Sequence, residues 1–323
     1  MRQIQYKDAI AEALHEEMLR DERVFLMGED IGRFGGAFKA TRALWEKFGD
    51  ERVRDTPLSE AGIAGAAVGA AMTGLRPVAE IQYMDFTALA MDQLVNQAAK
   101  IRYMSGGQAR IPMVLRTQTG AGRSSAAQHS QSLEAWFAHI PGLKLVMPST
   151  PYDVKGLLKT AIRDDAPVIF VEHKLLYNTK GEIPEEEYLV PFGEARVCRE
   201  GTDVTIVALS RMVPKAVEAA QQLESEGVRV EVIDPRTVVP LDIDTILNSV
   251  EKTGRLIITH EACTRFGVGA EIAAEVCERG LYFLEKPVKR VGAPHVPMPF
   301  APEMENFVVP NTAGLVRAVK ELM

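Results

Sequence analysis

The chain has 323 residues, 46% of them apolar and 25% charged. That is enough for a large core and, by length, about two domains, with no need of covalent staples. A net charge of −7 with no Lys/Arg cluster argues against a nucleic-acid surface. The three cysteines (Cys198, Cys263, Cys277) are odd in number and form no CxxC pair. They argue against a disulfide framework or a zinc site and fit a reducing compartment.

The opening stretch "MRQIQYKDAIAEALHEEMLRDERV" lacks a continuous apolar core and reads as an amphipathic, acid-rich helix rather than a signal peptide. Short apolar runs then alternate with helical patterns. "RVFLMGED" reads as a strand and "ATRALWEKFG" as a helix; "SEAGIAGAAVGAAMTG" reads as a helix and "RPVAEIQ" as a strand. "ALAMDQLVNQAAKIRYM" is a helical pattern, and "IPMVLRT" and "LKLVMPS" are strands. "TPYDVKGLLKTAIRD" is a punctuated helix, with Thr150 as N-cap, Pro151 at the first position and Asp153 at the third. The strand "APVIFVEH" closes this half.

The longest apolar run, residues 61–74, is Ala/Gly-rich and shorter than the roughly 18 residues of a membrane span. The expected location is the cytoplasm or an equivalent matrix compartment. From about Lys174 the pattern stops in "LYNTKGEIPEEEYLVPFG", which reads as a linker. A second αβ run follows, with strands "VTIVAL", "VRVEVID", "RLIITHE" and "PVKRVGA" and helices near 212–226, 242–250, 267–279 and 312–322. The expectation is an α/β chain with mainly parallel sheets, domains at 1–178 and 193–323, and a linker at 179–192.

In such sheets ligands bind beyond the carboxyl ends of the strands. Three ends carry chemistry: Glu29-Asp30 after "VFLMG", Asp85-Phe86 after "RPVAEIQYM", and the loop carrying His129 after "IPMVLRT". Glu60 opens the helix at 60–74, where the dipole favours a carboxylate. Gly62, Gly65 and Gly69 then leave one face almost bare. Tight helix packing with a simple N-terminal charge would show the same pattern. Between about Thr117 and Ser132 no secondary-structure signal is visible, and loops that long tend to be functional or disordered. His129 is accordingly either an idle surface imidazole or a proton-transfer group at the mouth of a site. No phosphate loop, nucleophile elbow or zinc helix is present, and "FGVGAE" lacks the third glycine of a dinucleotide fingerprint.

Taken in order, "RDTPLSEAGIAGAAVGAAMTGLRPVAEIQYMDF", "DQLVNQAAKIRYMSGG", "AAQHSQSLEAWFAHIPGLKLVMPSTPYDVKGLLKTAIRDDAPVIF", "VIDPRTVVPLD" and "KTGRLIITHEA" resemble the beta subunit of the thiamine diphosphate-dependent first component of 2-oxo acid dehydrogenase complexes. The likeness spans essentially the whole chain and is closest to the pyruvate and acetoin branch. It implies a transketolase-like pyrimidine-binding domain, a transketolase C-terminal-type domain, and an alpha2beta2 heterotetramer docked on a lipoyl acyltransferase core. It also implies oxidative decarboxylation of pyruvate with acyl transfer to lipoamide, with acetoin or a branched-chain 2-oxo acid as alternative substrates. The non-enzyme alternative is an assembly subunit that only orders its partner.

By the same resemblance, Glu60 matches the glutamate that hydrogen-bonds the aminopyrimidine ring of the cofactor, and Phe86 the aromatic packed against that ring. Glu29 matches an acid near Glu60 in a buried polar network. His129 matches the histidine facing substrate and the lipoyl group. Potassium is implied at Met113, Ala161, Ile162, Asp164 and Ala166, held mostly by carbonyls; ordinary capping of the helix end by water fits the same residues. The Gly-Asp-Gly motif that holds the diphosphate through magnesium is missing; "FGDE" at 48–51 is not it. The alpha subunit is therefore expected to supply that half of the site. His295 stands where relatives often carry aspartate, which alters the expected docking contact.

Overall fold

The computed structural model describes all 323 residues, Met1–Met323. They form two compact units, one of residues 1–119 and 136–192, the other of residues 120–135 and 193–323.

In the first unit β1 (Arg2–Gln5) leads into α1 (Tyr6–Arg20), β2 (Val24–Gly28), α2 (Arg42–Arg52), β3 (Val53–Asp55), α3 (Glu60–Met72) and β4 (Arg76–Ile81). A 3-10 turn (Met84–Ala90), a π-helical turn (Asp92–Ala98) and the short α4 (Ile101–Met104) precede β5 (Val114–Thr119). The single helix expected over 88–104 is thus broken into three pieces. Its buried residues Ala90, Leu94 and Ala98 recur at every fourth position, a spacing that a wider turn keeps on one face. Beyond α5 (Glu134–Ala138) lie β6 (Lys144–Val146), α6 (Pro151–Arg163), β7 (Val168–His173) and β8 (Lys180–Ile183).

Within this unit the main sheet runs β6-β7-β5-β4-β2-β3, every neighbour parallel. Parallel strands buried on both faces read as continuous apolar runs, as "VFLMG" and "VIFV" do. The core fills between helices and sheet. Buried residues Ala9, Ile10, Ala13 and Leu14 put one face of α1 against Val154, Leu157, Leu158 and Ala161 of α6. Ion pairs flank that contact: Lys155 and Lys159, both buried, reach Glu16 at 2.7 and 2.6 Å. The Thr150 hydroxyl accepts the Asp153 N–H at 3.1 Å, so α6 starts where the sequence places it.

The second unit contains β9 (Arg196–Arg199), β10 (Val204–Ala208), α7 (Met212–Glu224), β11 (Val230–Asp234), β12 (Thr237–Val239), α8 (Ile243–Thr253), β13 (Leu256–Cys263), α9 (Val268–Gly280), β14 (Lys289–Ala293), α10 (Pro302–Val308) and α11 (Thr312–Lys320). Its sheet runs β14-β13-β10-β11-β9, parallel except for the edge strand β9.

Two segments fall differently from the boundaries read in the sequence. Residues 180–183, expected in a linker at 179–192, form β8 and pair antiparallel with β1. Val190 is buried, and Tyr188 stacks on Tyr152 at 4.5 Å between ring centroids. A four-residue strand flanked by acids, prolines and glycines gives no periodic signal when its partner lies at the other end of the unit. Residues 120–135, expected in the first domain, fold with the second unit. Carboxylates from β13 and α10 bond the backbone N–H groups there. No helix of the chain is long and apolar enough to cross a membrane.

Candidate active site

The first unit gathers acids at the carboxyl ends of β2 and β4. Gly28 ends β2 in register with Glu80 of β4. A side chain at Gly28 would begin 2.8 Å from the Glu80 carbonyl oxygen, so close strand approach requires glycine there. Glu29 follows, half-buried, and its buried Oε1 has no hydrogen-bond partner. Burial, followed by the charge of Glu60 and those of Asp30 and Glu80, pushes its carboxyl up. Each of these disfavours the ionised form.

Glu60 is the first residue of α3 and half-buried. The uncapped N–H groups of that first turn stabilise its carboxylate. Phe86 is half-buried on the 3-10 turn that follows β4, against which α3 packs. The structure therefore brings Glu29 and Glu60 into electrostatic contact and sets Phe86 on the element beside α3. Gly62 and Gly69 are exposed, while Gly65 faces Gln93.

Behind these acids lies a charged network that sequence reasoning missed. Arg116 of β5 donates to both oxygens of Glu172 on β7, at 2.7 and 2.9 Å, and to Glu80 at 2.6 Å. All three are buried. The Tyr177 hydroxyl donates to Glu172. Gln118 donates to the Tyr177 oxygen at 3.2 Å, and Gln82 links Glu80 to the Glu29 carbonyl at 3.1 and 3.3 Å. A buried charge is tolerated only when paired and hydrogen-bonded, and here one guanidinium serves two carboxylates. The signal was present: Glu80, Arg116 and Glu172 are the charges inside three otherwise uncharged strand cores.

His129 belongs to the second unit, within the segment 120–135, and is half-buried. The segment is anchored at its start. The Ala121 N–H donates to Glu261 of β13; the Gly122 and Ser124 N–H groups donate to the two oxygens of Glu305 on α10, at 2.8 and 3.0 Å. Near its end Glu134 is buried, with Oε2 unpartnered. Burial, with Glu261 adding to it, pushes the Glu134 carboxyl up to about 7. Glu261 and Glu305 were also missed, because their partners lie far away in sequence, and Glu134 because the burial of a carboxyl leaves no local signal.

The carbonyls proposed for potassium all sit near the C-terminal end of α6 or beside it. Met113 O accepts the Val168 N–H and Ala161 O the Asp164 N–H. The Ile162 and Asp164 carbonyls both accept from one nitrogen of Arg76, each at 3.0 Å. A carbonyl has a second lone pair, so these bonds do not exhaust the oxygens. Even so, the guanidinium already brings positive charge to a helix end that favours it, and Ala166 offers only its backbone oxygen. No three His, Cys, Asp or Glu side chains come together as a metal site. His295 is exposed.

The arrangement suits a flat nitrogen heterocycle. Two neighbouring carboxyls, one with an unsatisfied oxygen, offer hydrogen bonds to ring N–H groups, and Phe86 offers an aromatic face.

Comparison with known proteins agrees with both halves of the chain. Residues 2–180 match the transketolase pyrimidine-binding domain and residues 193–315 the transketolase C-terminal domain. Among curated relatives, the 2-oxoisovalerate dehydrogenase beta subunit of Bacillus subtilis is 49% identical over 98% of this chain and 98% of its own. The acetoin:2,6-dichlorophenolindophenol oxidoreductase beta subunit of Cupriavidus necator is 48% identical, covering 100% and 98%. The pyruvate dehydrogenase E1 beta subunit of Rickettsia felis is 47% identical, covering 99% and 98%. A solved split-gene transketolase, an inactive beta4 tetramer, shares the fold at a TM-score of 0.82 and 23% identity, covering 99% of this chain and 98% of that one. With full-length identities near one half and both transketolase domains in place, this chain belongs to the beta-subunit family of the thiamine diphosphate-dependent 2-oxo acid and acetoin dehydrogenases, a family of oxidoreductases.

Proposed function

We propose that the chain is the beta half of a pyruvate dehydrogenase of the acetyl-transferring type. It would work with an alpha subunit in an alpha2beta2 heterotetramer and pass the acyl group to the lipoyl acyltransferase core. The observation that supports cofactor binding in this reading is the pairing of Glu29 and Glu60 at the sheet's carboxyl ends, with Glu29 held towards its neutral form by burial and by its neighbour.

Thiamine diphosphate, when bound, supplies the nucleophilic carbon and the electron sink for decarboxylation. Glu60 holds a proton on the aminopyrimidine ring, Phe86 fixes the plane of the ring, and Glu29 tunes the field at Glu60. The Arg116 network stiffens the strands that carry Glu80 and Gln82, and so the floor beneath Glu29. His129 donates or accepts the proton that moves when the acyl group passes to the lipoyl sulfur. Magnesium and the diphosphate are assigned to the alpha subunit.

The test is Glu60→Gln in the reconstituted alpha–beta protein, assayed with pyruvate, acetoin and branched 2-oxo acids. Turnover should fall by about 100-fold or more with the preferred substrate, as expected for loss of an acid–base group. Near-normal turnover would favour an assembly subunit instead. Relatives acting on the three substrate classes stand within two percentage points of identity, so the substrate panel decides among them.

A further inference from the structure

We propose that Glu305 is a positioning residue for His129: its carboxylate clasps the segment that leads to the imidazole and holds that segment in its working shape. The proposal rests on the role given to His129 above.

The segment needs outside support. Four residues in its first half stand in the left-handed region: Gly120 and Gly122, both at φ 93°, Ser124 at 51° and Ala126 at 58°. Glycine adopts this conformation freely, but serine and alanine pay for it in backbone energy. No strand ladder or helix runs through 120–133 to offset that cost. One buried side chain supplies two of the bonds that offset it. Glu305 is 3% exposed, and its two oxygens accept the N–H groups of Gly122 and Ser124. These donors stand seven and five residues before His129. Alternate N–H groups curled onto one anion form a nest, and a charged acceptor roughly doubles the strength of each bond.

Glu305 itself is fixed. It lies mid-helix in α10, with its N–H on the Ala301 carbonyl at 2.9 Å and its own carbonyl accepting the Val309 N–H at 3.0 Å. Glu261 takes Ala121 from the neighbouring β13. The curve of the segment is therefore set by acids anchored on regular elements of the same unit. In Glu305→Gln the amide NH2 would meet a backbone N–H, so one of the two bonds is lost and its donor is left facing another donor.

The experiment uses Glu305→Gln and His129→Ala in the assembled alpha–beta protein, with two readouts. Amide hydrogen exchange of peptides covering 118–132 should speed up about tenfold in Glu305→Gln, as for loss of one charge-assisted bond. In steady-state assays, kcat for acyl transfer to lipoamide should drop about tenfold. The KM for the 2-oxo acid and the rate with an artificial dye as electron acceptor, which bypasses the lipoyl step, should stay within about twofold. A general structural defect would lower both rates together, and that result overturns the proposal, as does unchanged exchange. If His129→Ala itself shows no split between the assays, the role of His129 fails and the positioning role fails with it. A split in His129→Ala without one in Glu305→Gln refutes the positioning role alone.

Discussion

Replacing Arg116 with methionine should be among the most damaging single changes in the first unit. Arg116 is 1% exposed, and its partners Glu80 and Glu172 are 5% and 0% exposed. The substitution removes three hydrogen bonds of 2.6–2.9 Å. Glu172 then keeps only the Tyr177 hydroxyl of the bonds described above, and Glu80 keeps the amides of Gln82 and Gln118. At about 1.5–3 kcal/mol for each bond to a charged group, the gross loss is roughly 5–9 kcal/mol. The stranded carboxyls escape part of it by taking up protons, which caps the net loss at about 3–5 kcal/mol.

In a thermal melt of the assembled protein that corresponds to a Tm lower by roughly 6–15 °C. Burial already pushes the Glu172 carboxyl up beside Arg116, and without the cation its folded-state pKa stands further above its unfolded value. The variant should therefore lose stability as pH rises through those values, and its deficit should be larger at about pH 8 than at about pH 5.5. Adding Glu80→Gln and Glu172→Gln to Arg116→Met should recover more than half of the loss. A single-variant deficit below about 1 kcal/mol, or one equal at both pH values, would refute the claim that this arginine compensates two buried charges.

Glu134→Gln should have the opposite effect. A carboxyl pushed up to about 7 from 4.5 makes the folded state bind its proton more tightly, so stability falls as pH rises from about 4.5 through about 7. The wild-type protein then carries a cost of about 3 kcal/mol above that range. The glutamine variant should melt higher at about pH 8 and show a flatter melting profile against pH. Arg76→Met should lower stability by about 2–3 kcal/mol, because the Ile162 and Asp164 carbonyls lose their shared donor and Asp165 loses its 2.7 Å ion pair. Differential scanning calorimetry would check it, and a shift too small to measure would show that water replaces the guanidinium without loss.

The elements most legible in the sequence were those with local causes. The Thr150–Pro151–Asp153 start of α6 is a capping problem solved within four residues, and the structure shows the expected bond. Glu60 at the start of α3 was visible because a charge precedes a long uncharged run. The α/β alternation and most helix limits in the second unit needed only apolar periodicity. What stayed hidden depended on partners distant in sequence. Strand β8 exists because β1 is there to pair with it. The stretch read without signal between about Thr117 and Ser132 holds amides at 121, 122 and 124 whose acceptors, Glu261 and Glu305, lie far away in sequence. Arg116 lies inside "IPMVLRT", and a buried strand tolerates a guanidinium only where neighbouring strands place acids, but strand order is not written in any one window.

The way residues 120–135 are housed has a consequence for handling this polypeptide. The chain passes between its two units three times, at 119/120, 135/136 and 192/193, so no single cut yields two self-sufficient fragments. Expressing 193–323 alone would leave the Glu261 and Glu305 carboxylates without the amides they hold. Expressing 1–192 alone would leave those sixteen residues, the imidazole included, without the Glu261 and Glu305 carboxylates that hold their first amides. A split gene or truncation library built on the boundary at 192/193 should therefore give poorly behaved halves that recover only on mixing.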